Sequence, residues 1–224
     1  MSLQAARTLR LAHRGDWRRA PENTLRAFLG ALAVPGCDGL EFDVRAAAGG
    51  TPVVCHDETL DRVQGVAARV ASLTAEALAL HGVPTLAEVL AALPRRAFLD
   101  VELKDDPGRA AVDVLLAGRG PGLERAVVSS FEVATLERVG RLAPAWPRWL
   151  NAMELSAAAI RTAIELDCRG ISTHWRTIDR RSIAAARAAG LDVAAWTVRR
   201  RPTYRRLERL GVTAICAEAA ALDG

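Results

Sequence analysis

The 224-residue chain is poor in aromatic side chains (4%) and has a single tyrosine. No basic run is interleaved with aromatics, so the stacking surface of a single-strand nucleic-acid binder is missing. The net charge of +4 and pI near 9.3 are therefore no sign of a nucleic-acid partner. The densest basic cluster, Arg199-Arg200-Arg201 followed by Arg205-Arg206, falls on a predicted loop and helix and reads as a solvated face. Long apolar runs are also absent, with none near the ~18 residues of a membrane span. The opening stretch MSLQAARTLRLAHRG has no uninterrupted apolar segment of leader length. The expectation is a soluble cytoplasmic protein without a stable membrane anchor. Cys37, Cys55, Cys168 and Cys216 are far apart and form no C-x-x-C pair, so they read as buried free thiols in a reducing compartment. No Pro/Ser-rich linker divides the chain, and residues 1–224 read as one domain of globular composition, 50% apolar and 25% charged.

Lysine is the scarcest charged residue. Of 30 Lys and Arg side chains, Lys104 alone is a lysine. A chain so biased toward arginine keeps a lysine where a compact ammonium fits and a planar guanidinium does not, such as beside a phosphate oxygen.

Short apolar runs alternate with amphipathic helical segments almost to the C-terminus. Strands are predicted at 9–13, 39–44, 97–103, 126–129, 148–150, 170–173, 193–198 and 213–216. A further extended run, 51–55, follows Gly49-Gly50 and reads as a hairpin arm outside the repeat. Helices are predicted at 22–34, 74–80 and 85–93, with later ones opening at Ser156 and Asp179. No G-x-G-x-x-G loop follows any strand, which weakens a dinucleotide-binding sheet. Eight strands with chemistry at several strand ends suit a (β/α)8 barrel, with a short hairpin and loop insertion after the second strand.

Four clusters carry that chemistry: His13-Arg14-Gly15, Glu41-Phe42-Asp43, His56-Asp57 and Glu102-Leu103-Lys104. Side chains two apart on a strand share a face, so Glu41 pairs with Asp43 and Glu102 with Lys104. Three converging carboxylates repel unless a cation lies between them, and hard oxygen ligands without a thiolate suit Mg²⁺ or Ca²⁺, with Mn²⁺ also possible. The alternative makes Glu41 and Glu102 structural partners of arginine. His13 and His56 can exchange protons near neutral pH, and the assignment made is His13 as acid and His56 as base. Arg14 and Lys104 suit a phosphate. Glu22 and Asn23, in Pro21-Glu22-Asn23-Thr24, read as supports for the His13 loop and the carboxylates, or as a plain helix start. The combination points to metal-assisted hydrolysis of a phosphate ester. Trp149, Trp175 and Trp196 fall at the ends of three late strands. Core packing is their default; a pocket wall for an apolar or quaternary ammonium group, with His174 on its rim, is the alternative.

In order along the chain, these clusters resemble the glycerophosphodiester phosphodiesterase family. The match also includes His56-Asp57-x-x-Leu60-x-Arg62, Pro84-Thr85-Leu86-x-Glu88, Ser130-Phe131 and Trp196-Thr197-Val198. The resemblance implies a (β/α)8 barrel that hydrolyses small glycerophosphodiesters to glycerol 3-phosphate and an alcohol with a divalent cation. It implies Glu41, Asp43 and Glu102 as metal ligands, His13 and His56 as the acid–base pair, and Phe131 and Trp196 at the substrate. Attack by water or by the substrate's own glycerol hydroxyl, through a cyclic phosphate, are both compatible with it. Two competing readings are a related barrel phosphodiesterase acting on lysophospholipids or phosphoinositol lipids, and a non-catalytic phosphometabolite-binding barrel. The chain departs from the family pattern at Arg199, usually Asn, and at Ala217-Glu218-Ala219-Ala220, usually Thr-Asp-x-Pro. Those departures put the alcohol portion of the substrate in doubt.

Overall fold

The computed structural model describes residues 7–106 and 108–223. Residues 1–6 of the segment read for a leader lie outside them. Eight parallel strands close into a barrel: β1 (Leu9–His13), β2 (Gly39–Ala46), β4 (Phe98–Leu103), β5 (Ala126–Ser130), β6 (Arg148–Ala152), β7 (Gly170–His174), β8 (Asp192–Val198) and β9 (Ala214–Ala217). Closure is direct, since β1 pairs with both β9 and β2. β3 (Pro52–Val54) is the predicted hairpin arm, antiparallel to β2. Its pairing extends β2 to Ala46, two residues past the expected end.

Helices α1 (Leu25–Leu32), α4 (Leu86–Ala92), α5 (Gly108–Arg119), α6 (Val133–Leu142), α7 (Ala157–Glu165), α8 (Arg180–Ala188) and α9 (Arg201–Leu210) connect successive barrel strands. Their starts follow capping chemistry. Thr85 and Glu88 form a reciprocal capping box, and Ser156 and Asp179 accept from the third backbone N–H of their helices. The first helix starts three residues later than the periodicity predicts. Asn23 adopts a left-handed backbone (φ 58°) and Thr24 is the extended N-cap, so Pro21–Asn23 forms a turn toward the barrel mouth instead of a helical turn.

Alternation along each strand divides the interior. Leu40, Phe42, Val44, Val101 and Leu103 face outward and join the helices in the main core. Leu11, Phe98, Val127, Trp149, Ala194 and Ala214 form a second apolar cluster inside the barrel, toward its N-terminal end. Phe98 and Trp149 stack there with ring centroids 6.1 Å apart. Polar side chains occupy the same inward faces two residues further on: Asp100, Ser129 and Asn151. Apolar packing thus fills the lower barrel, and polar groups collect at the C-terminal mouth, where this architecture places its chemistry. Between β2 and β4, α2 (Asp61–Gln64) and α3 (Ala75–Ala79) join β3 around a small core of Val53, Cys55, Leu60, Val70 and Leu78. Among the described residues no helix is long and apolar enough to cross a membrane.

All four cysteines are free; Cys55, Cys168 and Cys216 are buried, whereas Cys37 is half-buried. Burial pushes the Cys55 and Cys168 thiols up to about 11, and Cys216, inside the barrel, well above its ordinary range. Iodoacetamide at about pH 8 is expected to modify Cys37 first and the other three only after denaturation, read by mass spectrometry. Rapid modification of Cys216 in the native protein would contradict a closed barrel interior.

Candidate active site

The mouth is built from β1, β2, β4 and the ends of β5, β8 and β9. At the end of β1 the chain turns sharply: Arg14 and Gly15 are both left-handed (φ 59° and 85°). A Cβ on Gly15 would lie 2.7 Å from the backbone of Ala27 in α1, so only glycine lets the turn pack there. The Arg14 N–H donates to the Glu41 carbonyl (2.8 Å) and the Asn23 N–H to the Arg14 carbonyl (3.0 Å), tying the turn to β2 and to the 21–23 turn.

Register brings the carboxylates together. His13 lies opposite Glu41 across β1 and β2, and Asp43 opposite Glu102 across β2 and β4. Ligand oxygens of Glu41, Asp43 and Glu102 lie within 4.8 Å of one another, and all three residues are buried. Arg14 and Lys104 hold this charge. Lys104 Nζ is 2.6 Å from Glu102 and 3.1 Å from Asp43, and Arg14 Nε is 3.1 Å from Asp43. Asn23 Nδ2 donates to Asp43 Oδ2 (3.0 Å), and Arg14 Nη1 donates to Glu22 (3.0 Å). The two predicted phosphate-gripping cations thus rest on the carboxylates themselves.

The three acids respond differently to one environment. Burial raises each carboxyl. At Asp43 the charges of Arg14, Lys104 and His56 overcome it and hold the group well below the usual range. Glu41 lacks that contact. Burial and then repulsion from Asp43 and Glu102 push it well above the usual range, and among the described residues its Oε2 accepts no hydrogen bond and has His13 Nε2, at 3.7 Å, as its ion-pair neighbour. Glu102 is also raised, by burial and by Asp43, with Lys104 offsetting part. A buried, unpartnered carboxylate oxygen within a cluster of hard oxygen donors is what a divalent cation would satisfy, so the residues fit one.

The histidines flank the cluster and line one cavity of about 220 Å³ with Arg14, Glu41, Glu102 and Lys104. His13 Nδ1 lies 2.5 Å from Glu218 Oε1, which leaves Nε2 toward Glu41. His56 Nδ1 lies 2.6 Å from Asp57, and Arg62 ties Asp57 (2.6 Å) to Glu22 (2.6 Å). Burial lowers His56, with Arg14 and Lys104 adding to it against the pull of Asp43 and Asp57. Phe131 and Trp196 form the opposite wall, edge to face with centroids 5.7 Å apart, and Lys104 Nζ lies 5.9 Å from the Phe131 ring.

Trp149, grouped with Trp175 and Trp196 in sequence, does not reach this mouth. It enters β6 at its second residue, so its side chain falls in the lower apolar layer. Glu218 is the functional neighbour that sequence reasoning missed. It follows β9 directly, and a carboxylate closing the last barrel strand, beside the strand carrying His13, was the available signal. Asp100 was missed as well. It shares the inward face of Glu102, lies on Ser129 Oγ (2.6 Å), and is pushed up to about 7 by burial and then by Glu102 and Asp43, against the Ser129 hydrogen bond. The parity of Asp100, Glu102 and Lys104 marked it. His81 is exposed and takes no part in this cavity.

The model of the glycerophosphoryl diester phosphodiesterase family matches residues 13–221. A glycerophosphodiester phosphodiesterase of Caldanaerobacter subterraneus is 28% identical over 230 residues, covering 95% of this chain and 94% of that protein. An Oleispira antarctica phosphodiesterase, solved in complex with the product sn-glycerol-3-phosphate, superposes with a TM-score of 0.84 at 26% identity over 97% of this chain and 95% of that one. The glycerophosphodiester phosphodiesterase of Agrobacterium tumefaciens superposes with a TM-score of 0.81 at 28% identity, over 96% and 98%.

The Arg62 bridge has a pH signature. Burial raises the Glu22 and Asp57 carboxyls, but their contacts with Arg62, Arg14 and His56 leave both below their ordinary 4.5 and 3.8. Their stabilisation is present above those values and is lost as pH falls through the lowered ones. Arg62 is half exposed, so Arg62→Ala is expected to cost only about 1 kcal/mol at neutral pH in urea unfolding. That cost should fade in acid below the ordinary carboxylate values; a pH-independent cost would contradict the bridge.

Proposed function

The chain belongs to the glycerophosphoryl diester phosphodiesterase family, of phosphoric diester hydrolases, and on that premise we propose that it hydrolyses small glycerophosphodiesters to glycerol 3-phosphate and an alcohol. The observation that carries this reading is the clustering of Glu41, Asp43 and Glu102, with ligand oxygens within 4.8 Å of one another, beside a cavity that Glu41, Glu102, His13 and His56 line.

Glu41, Asp43 and Glu102 would hold Mg²⁺, Ca²⁺ or Mn²⁺, which when bound neutralises charge on the phosphate as a Lewis acid. Arg14 and Lys104, the cations on the cluster's rim, add positive charge facing an anionic diester. Asn23 holds Asp43 and Glu22 holds Arg14, so both keep the cradle in register. Phe131 and Trp196 wall the site and limit where the glycerol and alcohol halves can lie.

Proton transfer divides between the histidines by their partners. His13 has Glu218 on Nδ1, and that contact orients the ring so that Nε2 gives its proton to the leaving alcohol oxygen as the P–O bond breaks. His56 shares its Asp57 with Arg62, which draws off part of that carboxylate's charge. The neutral imidazole of His56 accepts the proton of the attacking hydroxyl, from water or from the substrate's glycerol.

A coupled assay for glycerol 3-phosphate is expected to show activity with Mg²⁺, Ca²⁺ or Mn²⁺ and none after thorough chelation; full activity in chelated protein would remove the cation from the reading. His13→Ala and Glu41→Ala are expected to lower kcat by at least ~10²-fold. Glu218→Ala should lower kcat by about 10–100-fold with a smaller change in KM. Ligand binding without turnover under every cation would instead identify a non-catalytic barrel.

A further inference from the structure

The catalytic cavity has a neighbour. A second cavity of about 520 Å³ shares Trp196 and Thr197 with it and is otherwise walled by His174, Trp175, Thr203 and three guanidinium groups, Arg176, Arg199 and Arg200. Among the described residues no carboxylate lines it. Arg199 spends one edge on Glu218 (Nε to Oε2, 2.7 Å), whereas Arg176 and Arg200 meet no carboxylate among the described residues. α9, ten residues long, starts directly after Arg200, so the positive end of its dipole adds to the same region.

The two cavities are joined by a run of rings. Lys104 Nζ lies 5.9 Å from the Phe131 centroid, Phe131 is 5.7 Å from Trp196, Trp196 is 5.6 Å from His174, and His174 is 5.8 Å from Trp175. Trp196 Nε1, on this path, is buried and makes no hydrogen bond among the described residues. The arginines also weigh against the quaternary ammonium reading of Trp175. Trp175 already carries Arg176 at 4.6 Å and Arg206 at 5.9 Å from its ring centroid, so a cationic head group would meet guanidinium instead of an open aromatic face.

We propose that this second cavity seats the alcohol half of the substrate and selects glycerophosphodiesters whose alcohol carries a second anionic group, such as a further phosphate. The inference rests on the catalytic cavity being the phosphodiesterase site proposed above. An extended diester with its reacting phosphorus beside Lys104 lays its alcohol along the ring wall and brings the second anion to Arg176 and Arg200. Arginine matches phosphate oxygens with paired N–H donors, and a cavity without acids leaves that charge uncompensated until the ligand arrives.

Three soluble probes separate the outcomes: 1,3-bis(glycerophospho)glycerol, with an anionic leaving alcohol; glycerophosphoglycerol, with a neutral one; and glycerophosphocholine, with a cationic one. The expected result is a kcat/KM for the anionic probe about 10-fold above the neutral one, beyond the twofold statistical advantage of its two diester bonds, with the choline diester lowest. The ratio should shrink with added salt. It should collapse to about 2 or below in the variant combining Arg176→Glu and Arg200→Glu, both exposed residues. Turnover of all three probes without an anionic preference, or a preference that survives charge reversal, would overturn this inference and leave the phosphodiesterase reading intact. Absence of turnover on every probe would overturn both.

Discussion

Three carboxylates crowded into a buried space cannot all be ionised without positive charge among them, and much of the mouth is arranged around that constraint. Arg14 and Lys104 are held against Asp43, Asn23 adds a hydrogen bond, and Glu22 holds Arg14 and is itself held by Arg62. Glu41 is left with an unpartnered oxygen and the least stabilised charge. Such an arrangement is poor for a resting core and suited to a site completed by a cation. The same charges extend outward: Arg62 orders Asp57 against His56, and Arg199 and His13 share Glu218.

The barrel makes this concentration of polarity tolerable by layering. Leu11, Phe98, Val127 and Trp149 fill the lower interior, so Asp100, two residues beyond Phe98 on β4, and the acids of β2 and β4 nearer the mouth have a rigid floor. Burial in that floor makes the carboxylate energetics steep, because neighbouring water is replaced by apolar packing. The β3 insertion closes one side and delivers His56, whose backbone carbonyl accepts from Arg45 of β2 at 2.8 Å. A loop residue is thereby fixed to the barrel wall.

Much of this was legible in the sequence, because strand periodicity and charged strand ends are local signals. The eight strands, the hairpin arm, the caps at Thr85, Ser156 and Asp179, and the grouping of Glu41, Asp43 and Glu102 follow from spacing alone. Less legible were contacts set by barrel closure. Glu218 lies 205 residues from His13 in sequence and becomes its partner only because β9 pairs with β1. Trp149 packs in the lower apolar layer, as its core-packing default has it; β6 starts at Arg148 as predicted but runs on to Ala152, so Trp149 lies near the strand's start and not at its end. Arg199 and Arg200 read as a solvated charge run, and they became part of a cavity once β7 and β8 set them beside Trp175 and Trp196.

The central claim is that the buried acidic cluster is a cation site on which the reaction depends. Calorimetric titration of Mg²⁺ or Ca²⁺ into thoroughly chelated protein tests it most directly, because it reads binding with no substrate present. The account predicts one saturable equivalent per chain, abolished when Glu41 and Glu102 are both changed to glutamine. Absence of saturable binding, or binding that persists in that double variant, would contradict it.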